Sequence, residues 1–208
     1  MSSCNKFLLV AFLVAVISAC QSGPETEPLV STEQVSEVSE PVKVFDVDQQ
    51  NYEAGLDALK AGDTDFAIEL LEQVSTSAPE KDHVFTNLGL AYFKQEIYDK
   101  AELAFQKAIR LNPDDAIAYN HLGILKRLQG AFGAARLTYQ KAIQIDNEYA
   151  GAYLNLGILY DIYLQDLELA LQQYEKYQEL TRGENQSVDK WIVDIQRQLK
   201  NARSRTQG

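Results

Sequence analysis

Cysteine is almost missing from the chain, with two in 208 residues, and histidine is as rare, also two. That supply builds neither a disulfide framework nor a Cys/His zinc cluster within one chain. Positive charge is short as well: 19 Lys and Arg stand against 30 Asp and Glu, for a formal net charge of −11. A nucleic acid wants a basic groove, so it is excluded as a partner. The longest apolar run, Phe7 to Ile17, has eleven residues, where spanning a bilayer takes roughly 20. Catalytic patterns are absent too. The chain has no HExxH, no glycine-rich phosphate loop, and no nucleophile set with His and a carboxylate in a known motif. We therefore expect no enzyme, no cofactor, no metal and no small-molecule substrate. What is plentiful is core material: 46% hydrophobic and 10% aromatic residues, too much for a chain disordered throughout.

The first residues carry an address. Lys6 supplies a positive start, the eleven-residue run is the right length for a signal-peptide core, and it ends in Ile17-Ser18-Ala19-Cys20. This ending resembles the lipobox of bacterial lipoproteins, in which an aliphatic residue and two small ones precede the acylated cysteine. The resemblance implies a signal peptide over 1–19, cleavage before Cys20, and lipidation of Cys20 as the new N-terminus. Several acyl chains anchor stably where one does not. Gln21 stands where lipoproteins retained in the inner membrane carry Asp, which by analogy points to the outer membrane, facing the periplasm. An ordinary secretory signal with a chance cysteine is the other reading. Because Cys4 lies in the removed segment, the mature chain has no cysteine left for a disulfide.

Residues 20–47 read as the lipidated cysteine followed by an acidic linker. Residues 21–47 hold six acids, one base and three prolines (Pro24, Pro28, Pro41), with no long apolar period. As a coil the linker reaches roughly 30 Å. Its last apolar residues, Val42, Val44, Phe45 and Val47, are expected to pack on the first helix.

Beyond the linker a period of 34 residues sets in. Gly55, Gly89, Gly123 and Gly157 keep it, as do Ala67, Ala101 and Ala135, with Ala170 one residue late. The clearest unit, 82–115, holds Phe85, Leu88, Gly89 and Tyr92, then Ala101, Phe105, Ala108 and Pro113. This pattern resembles the tetratricopeptide repeat, two antiparallel helices per unit. Four units are expected, at 48–81, 82–115, 116–149 and 150–184. Where the two helices cross, the glycine and the alanine must be small, while Leu88, Tyr92, Phe105, Leu122, Tyr139, Leu156, Tyr160 and Tyr174 fill the spaces around them. Pro79 and Pro113 stop second helices. The first unit is degenerate, the third has Lys126 in the place of Tyr92, and the fourth carries one extra residue between its helices and Tyr177 at a normally small position. Residues 185–208 are read as a capping helix with a basic tail. Trp191, Ile192, Ile195 and Leu199 make its apolar face and Ser187 its N-cap. The expected fold is all-α: a right-handed α-solenoid of helix-turn-helix repeats closed by that cap.

In this family the first helices line a concave groove. Carried onto this chain, the resemblance puts Asn87, His121 and Asn155 on one ladder. Around it come Tyr52, Leu56, His83, Leu90, Phe93, Asn120, Ile124, Arg127, Leu154 and Ile158. The ladder either bonds an extended peptide or bonds neighbouring helices and water. The groove is apolar with few charges and suits an apolar segment or helix of a protein partner; the linker or the C-terminal helix are its other possible occupants. The Lys/Arg clamp with which some relatives hold an acidic C-terminal peptide is not present. The Asp residues of 62–65 and 112–115 are read as helix caps in turns rather than calcium loops. The acidic repeat body and the basic tail (Arg197, Lys200, Arg203, Arg205) either steer charged partners or are solvated surface.

The whole resembles lipid-anchored repeat proteins that support type IV pilus assembly, including pilotins that escort a secretin. The expectation is therefore a periplasmic adaptor holding a protein client. The alternatives are an outer-membrane adaptor docking peptidoglycan hydrolases or proteases, and a self-associating structural lipoprotein.

Overall fold

The 34-residue spacing of small residues becomes a helix crossing repeated four times. The computed structural model describes residues 46–206, so the signal peptide, Cys20 and the linker as far as Phe45 lie outside the described residues. Among these, nine α-helices follow in chain order: α1 (Val47–Ala61), α2 (Thr64–Ser77), α3 (Asp82–Lys94), α4 (Tyr98–Leu111), α5 (Ala116–Leu128), α6 (Phe132–Ile145), α7 (Ala150–Ile158), α8 (Leu167–Leu180) and α9 (Gln186–Thr206). The pairs α1/α2, α3/α4, α5/α6 and α7/α8 each pack face to face. Every even helix then packs on the next odd one, giving a helical solenoid.

Local sequence explains where helices start and stop. Asp46, Asp63, Asp115 and Asp166 cap α1, α2, α5 and α8, each carboxylate accepting the N–H of the residue three positions on. Pro79 and Pro113 each follow directly on the residue closing α2 or α4. Apolar residues then recur at helical spacing: in α4 the buried set is Ala101, Ala104, Phe105 and Ala108.

The crossing itself is set by glycine against a ring. A Cβ on Gly89 would lie 2.6 Å from Phe105, on Gly123 2.6 Å from Tyr139, and on Gly157 2.6 Å from Tyr174. These rings are fully buried. In the first pair the partner is Leu71, at 3.1 Å from a Cβ on Gly55. Ala67, Ala101, Ala135 and Ala170 have no exposure at all.

The departures from the repeat have distinct solutions. Tyr92 donates its hydroxyl hydrogen to Glu72 of the preceding pair. Lys126, in the matching place one repeat on, pairs with Glu102 at 2.5 Å, and its hydrogen bond holds that carboxylate below the usual range. The extra residue of the fourth unit is taken up by a π-helical turn, Leu159–Leu164, between α7 and α8. Leu159 and Tyr160 stay in the core, while Ile162, Tyr163 and Leu164 are turned out to solvent. Tyr177 reaches the α8–α9 loop, where its hydroxyl accepts from Asn185 Nδ2 at 3.2 Å.

Three details differ from the sequence expectation. α1 begins inside the segment read as linker: Asp46 caps it and Val47 opens it, 60% exposed rather than packed. Asn185, not Ser187, caps α9. Its Oδ1 accepts the N–H groups of Ser187 and Val188, and Val188 in the first turn is buried. The apolar face of α9 is anchored by Val188 and Ile195, while Trp191 is 39% exposed and only leans on Tyr174, ring centroids 5.4 Å apart. No helix among the described residues is long and apolar enough to cross a membrane.

Besides two small clusters, one of Val74, Ala78 and Val84 and one of Ala116, Ala142 and Ala152 that spans α5, α6 and α7, the buried side chains fall into two large ones. One joins α1 to α5, running from Ala58 through Phe105 to Ala118 and Leu125. The other joins α6 to α9, running from Ala135 and Tyr139 through Tyr174 to Ile195.

Gly123→Ala is expected to cost about 1–3 kcal/mol by forcing Tyr139 out of place, lowering Tm by several degrees. Gly55→Ala, facing a flexible leucine and gaining helix propensity of up to about 1 kcal/mol, should be near neutral. Thermal unfolding by circular dichroism checks both; equal effects would refute the assigned crossing.

Candidate protein-binding groove

The first helices of the pairs, α1, α3, α5 and α7, stand side by side and present one face. Tyr52 and His83 meet edge to face, centroids 4.9 Å apart. Asn87 Nδ2 donates to the Tyr52 hydroxyl at 3.0 Å and to the His83 carbonyl at 2.8 Å. One pair further on, Asn155 Nδ2 donates to Asn120 Oδ1 at 3.0 Å, and Asn120 Nδ2 donates to the Tyr149 hydroxyl at 3.2 Å. Asn120 is 2% exposed, so it is a tie between helices rather than an open contact. The amides of the ladder are thus engaged between neighbouring helices.

His121, the middle rung, is different. Its ring lies flat over Phe105, centroids 5.5 Å apart, with Phe93 edge-on at 5.9 Å. Nδ1 is buried and without a hydrogen-bond partner among the described residues. Burial pushes the imidazole down to about 4, with nearby Asp115 opposing weakly, so it is neutral at pH 7.

Around His121 opens an apolar pocket of about 570 Å³, with Leu56, Leu59, Leu90 and Phe93 as its greasy wall and Asn87, Lys60 and Lys94 on its edge. Ile124, Leu154 and Ile158 lie elsewhere, half-buried against the second core cluster. Arg127 is held back from solvent: Nε donates to the Tyr139 hydroxyl at 3.4 Å, Nη1 to the Tyr163 hydroxyl at 3.3 Å, and the guanidinium lies 5.6 Å from the Tyr163 ring centroid. The structure therefore gathers Tyr52, His83, Asn87, Leu90, Phe93 and His121, and puts Asn120, Ile124, Arg127, Leu154, Asn155 and Ile158 in packing roles or apart from that set. α9 packs on α8 and does not enter this face.

A second hollow, about 860 Å³, adjoins the first and shares Asn87 and Leu90 with it. Asp82, Asp114, Asp115 and Asp146 rim it, facing Lys141 and His83, over a floor that includes Ile117 and Ile145. Sequence reasoning missed this convergence. It read the Asp residues of 112–115 as caps, and Asp115 does cap α5, accepting from the Ala118 N–H at 2.8 Å. The capping signal is local, whereas the meeting of turns from successive pairs depends on how the pairs stack. No cluster of groups fit to hold a metal ion occurs among the described residues.

The neutral state of His121 has a sign. The unfolded chain takes up a proton near pH 6.5 and the folded chain does not, so stability falls as pH drops below that value. Between pH 6.5 and 5 the loss is about 2 kcal/mol. Urea titrations across this window should show the slope, and His121→Leu should flatten it; an unchanged slope in the variant would show that the imidazole is not its source.

Residues 84–115 match a family model described as the tetratricopeptide repeat, and residues 125–161 match one described as a TPR repeat. Comparison with curated proteins gives no match. Among solved structures, pilF of Pseudomonas aeruginosa superposes with a TM-score of 0.67 at 20% identity, over 74% of this chain and 70% of that one. A MamA protein gives 0.60 at 24% identity, over 75% and 90%. The first TPR of Spaghetti (RPAP3), bound to the HSP90 peptide SRMEEVD, gives 0.54 at 26% identity, over 58% and 94%. Residues 84–115 and 125–161 thus carry tetratricopeptide repeats, and residues 46–206 share the fold of a TPR-like helical solenoid, with a C-terminal helix closing its last pair.

Proposed function

We propose that this chain is a lipid-anchored periplasmic scaffold that holds a protein partner on the α1–α3–α5 face during assembly of an envelope complex such as a type IV pilus or a secretin. The observation that carries the binding role is the apolar pocket walled by Leu56, Leu59, Leu90 and Phe93, an open greasy hollow on a rigid frame. The RPAP3 repeat domain, solved with a peptide, shows that this fold accepts one. The anchor rests on Ile17-Ser18-Ala19-Cys20. The pilus role rests on that anchor combined with the repeats, and the chain shares its fold with pilF.

Two measurements test the parts separately. Cys20→Ser is expected to move the chain out of the membrane fraction; continued outer-membrane fractionation would remove the anchor. A photo-crosslinker placed at Phe93 in intact cells is expected to trap secretin or pilus components. Trapped peptidoglycan hydrolases or proteases would move the role to cell-wall enzyme docking, and a crosslink to a second copy would make the chain self-associating.

A further inference from the structure

The polarity of the groove selects among partners, and this step rests on the binding role proposed for the same face. We infer that the occupant is an apolar segment carrying Lys or Arg beside its apolar anchor. The apolar pocket and the Asp-rimmed hollow are contiguous through Asn87 and Leu90, so one ligand that fills the first reaches the second. Four carboxylates face one lysine there. Burial alone would raise the Asp82 carboxyl. The hydrogen bond from Asn112 Nδ2 at 2.8 Å, with the adjacent His83, outweighs it and holds Asp82 below the usual carboxylate range, hence charged at neutral pH. Asp146 gives one oxygen to the Glu148 N–H at 2.9 Å and, being exposed, keeps the other toward solvent; Asp114 is exposed as well.

The floor of the hollow fits the same chemistry. Ile117 is 46% exposed, and Leu90 and Ile145 lie near it. A Lys or Arg side chain is apolar along its stem and charged at its head. The stem covers the isoleucines while the head meets the Asp rim, and charge-assisted bonds form there. The two lysines of the apolar pocket do not reverse this sign. Lys60 is paired with Asp57 at 2.9 Å; Lys94 keeps its charge, its Nζ donating to the Leu59 carbonyl at 3.1 Å, but it lines the apolar pocket and not the Asp-rimmed hollow. The excess of acid over base in the whole chain draws a basic partner from a distance.

Fluorescence anisotropy with the full chain tests this, using three synthetic peptides that share one Leu-Leu-Phe core. One is flanked by Lys and Arg, one by Gln, one by Glu. The basic peptide should bind about tenfold more tightly than the neutral one and weaken as salt rises. Asp114→Asn with Asp146→Asn should erase that advantage while leaving the neutral peptide unaffected, since Asn at 146 keeps an oxygen for the Glu148 N–H. Melting curves confirm that the double variant is folded. If the neutral or acidic peptide binds as well as the basic one, and Phe93→Ala weakens it, the groove binds but the basic preference is wrong. If none of the three binds, the preference falls together with the proposed binding role of this face.

Discussion

A glycine against an aromatic ring, 16 residues apart in the second and third helix pairs, is the contact on which the rest of the solenoid depends. With no Cβ at Gly89 and Gly123, the rings of Phe105 and Tyr139 lie directly on the backbone of the partner helix. That brings the two axes of a pair close, and the same small-residue logic at Ala101 and Ala135 closes the other side of the crossing. A pair so built is thin and flat enough to stack on the next. Stacking in turn places α1, α3 and α5 side by side and creates the pocket. The fourth pair keeps the contact at Gly157 and Tyr174 although they are 17 residues apart, because the π-helical turn takes up the difference.

The face that results separates polar groups that tie from surfaces that are free. Asn87, His121 and Asn155 look on paper like a row of groups for a peptide backbone, but Asn87 is bonded to Tyr52, and Asn155 to Asn120, which is bonded to Tyr149, so the amides hold neighbouring pairs in register. What they leave open is apolar wall on one side and acidic rim on the other. In the binding role proposed for this face, Leu56, Leu90, Phe93 and the turn aspartates are left to meet a partner, while the amides fix the spacing between them.

Much of the fold was legible in the chain because its signals are local and periodic. Gly55 to Gly157, Ala67 to Ala170 and the prolines after α2 and α4 each report a constraint that acts within one pair, so counting along the sequence finds them. The π-helical turn was visible only as a residue too many; which backbone form absorbs it is decided by keeping Leu159 and Tyr160 in the core. The cap of α9 was misplaced because Ser187 and Asn185 are equally good capping residues, so the local signal does not choose between them. The candidate site was legible in part. Asn87, Leu90, Phe93 and His121 line one hollow, His83 lines the adjoining one and Tyr52 touches His83 and Asn87 beside them, but the burial of Asn120 and the bonds of Arg127 to two tyrosines come from partners 29 and 12 to 36 residues away. The aspartate rim had been explained already by capping, and nothing in a cap signal says which caps will end up neighbours.

The boundary between the two core clusters runs through the third helix pair, with Ala118 and Leu125 of α5 on one side and Ala135 and Tyr139 of α6 on the other. Gly123 on Tyr139 closes that boundary inside the pair, and the small cluster of Ala116, Ala142 and Ala152 bridges it from α5 to α7. α5 and α6 pack on each other as extensively as any two helices among the described residues, so the two clusters are coupled rather than free to open apart. The Asp-rimmed hollow straddles this boundary, with Asn87 and Leu90 on one side and Lys141, Ile145 and Asp146 on the other. Loosening the third pair from either end of the solenoid therefore reaches that hollow.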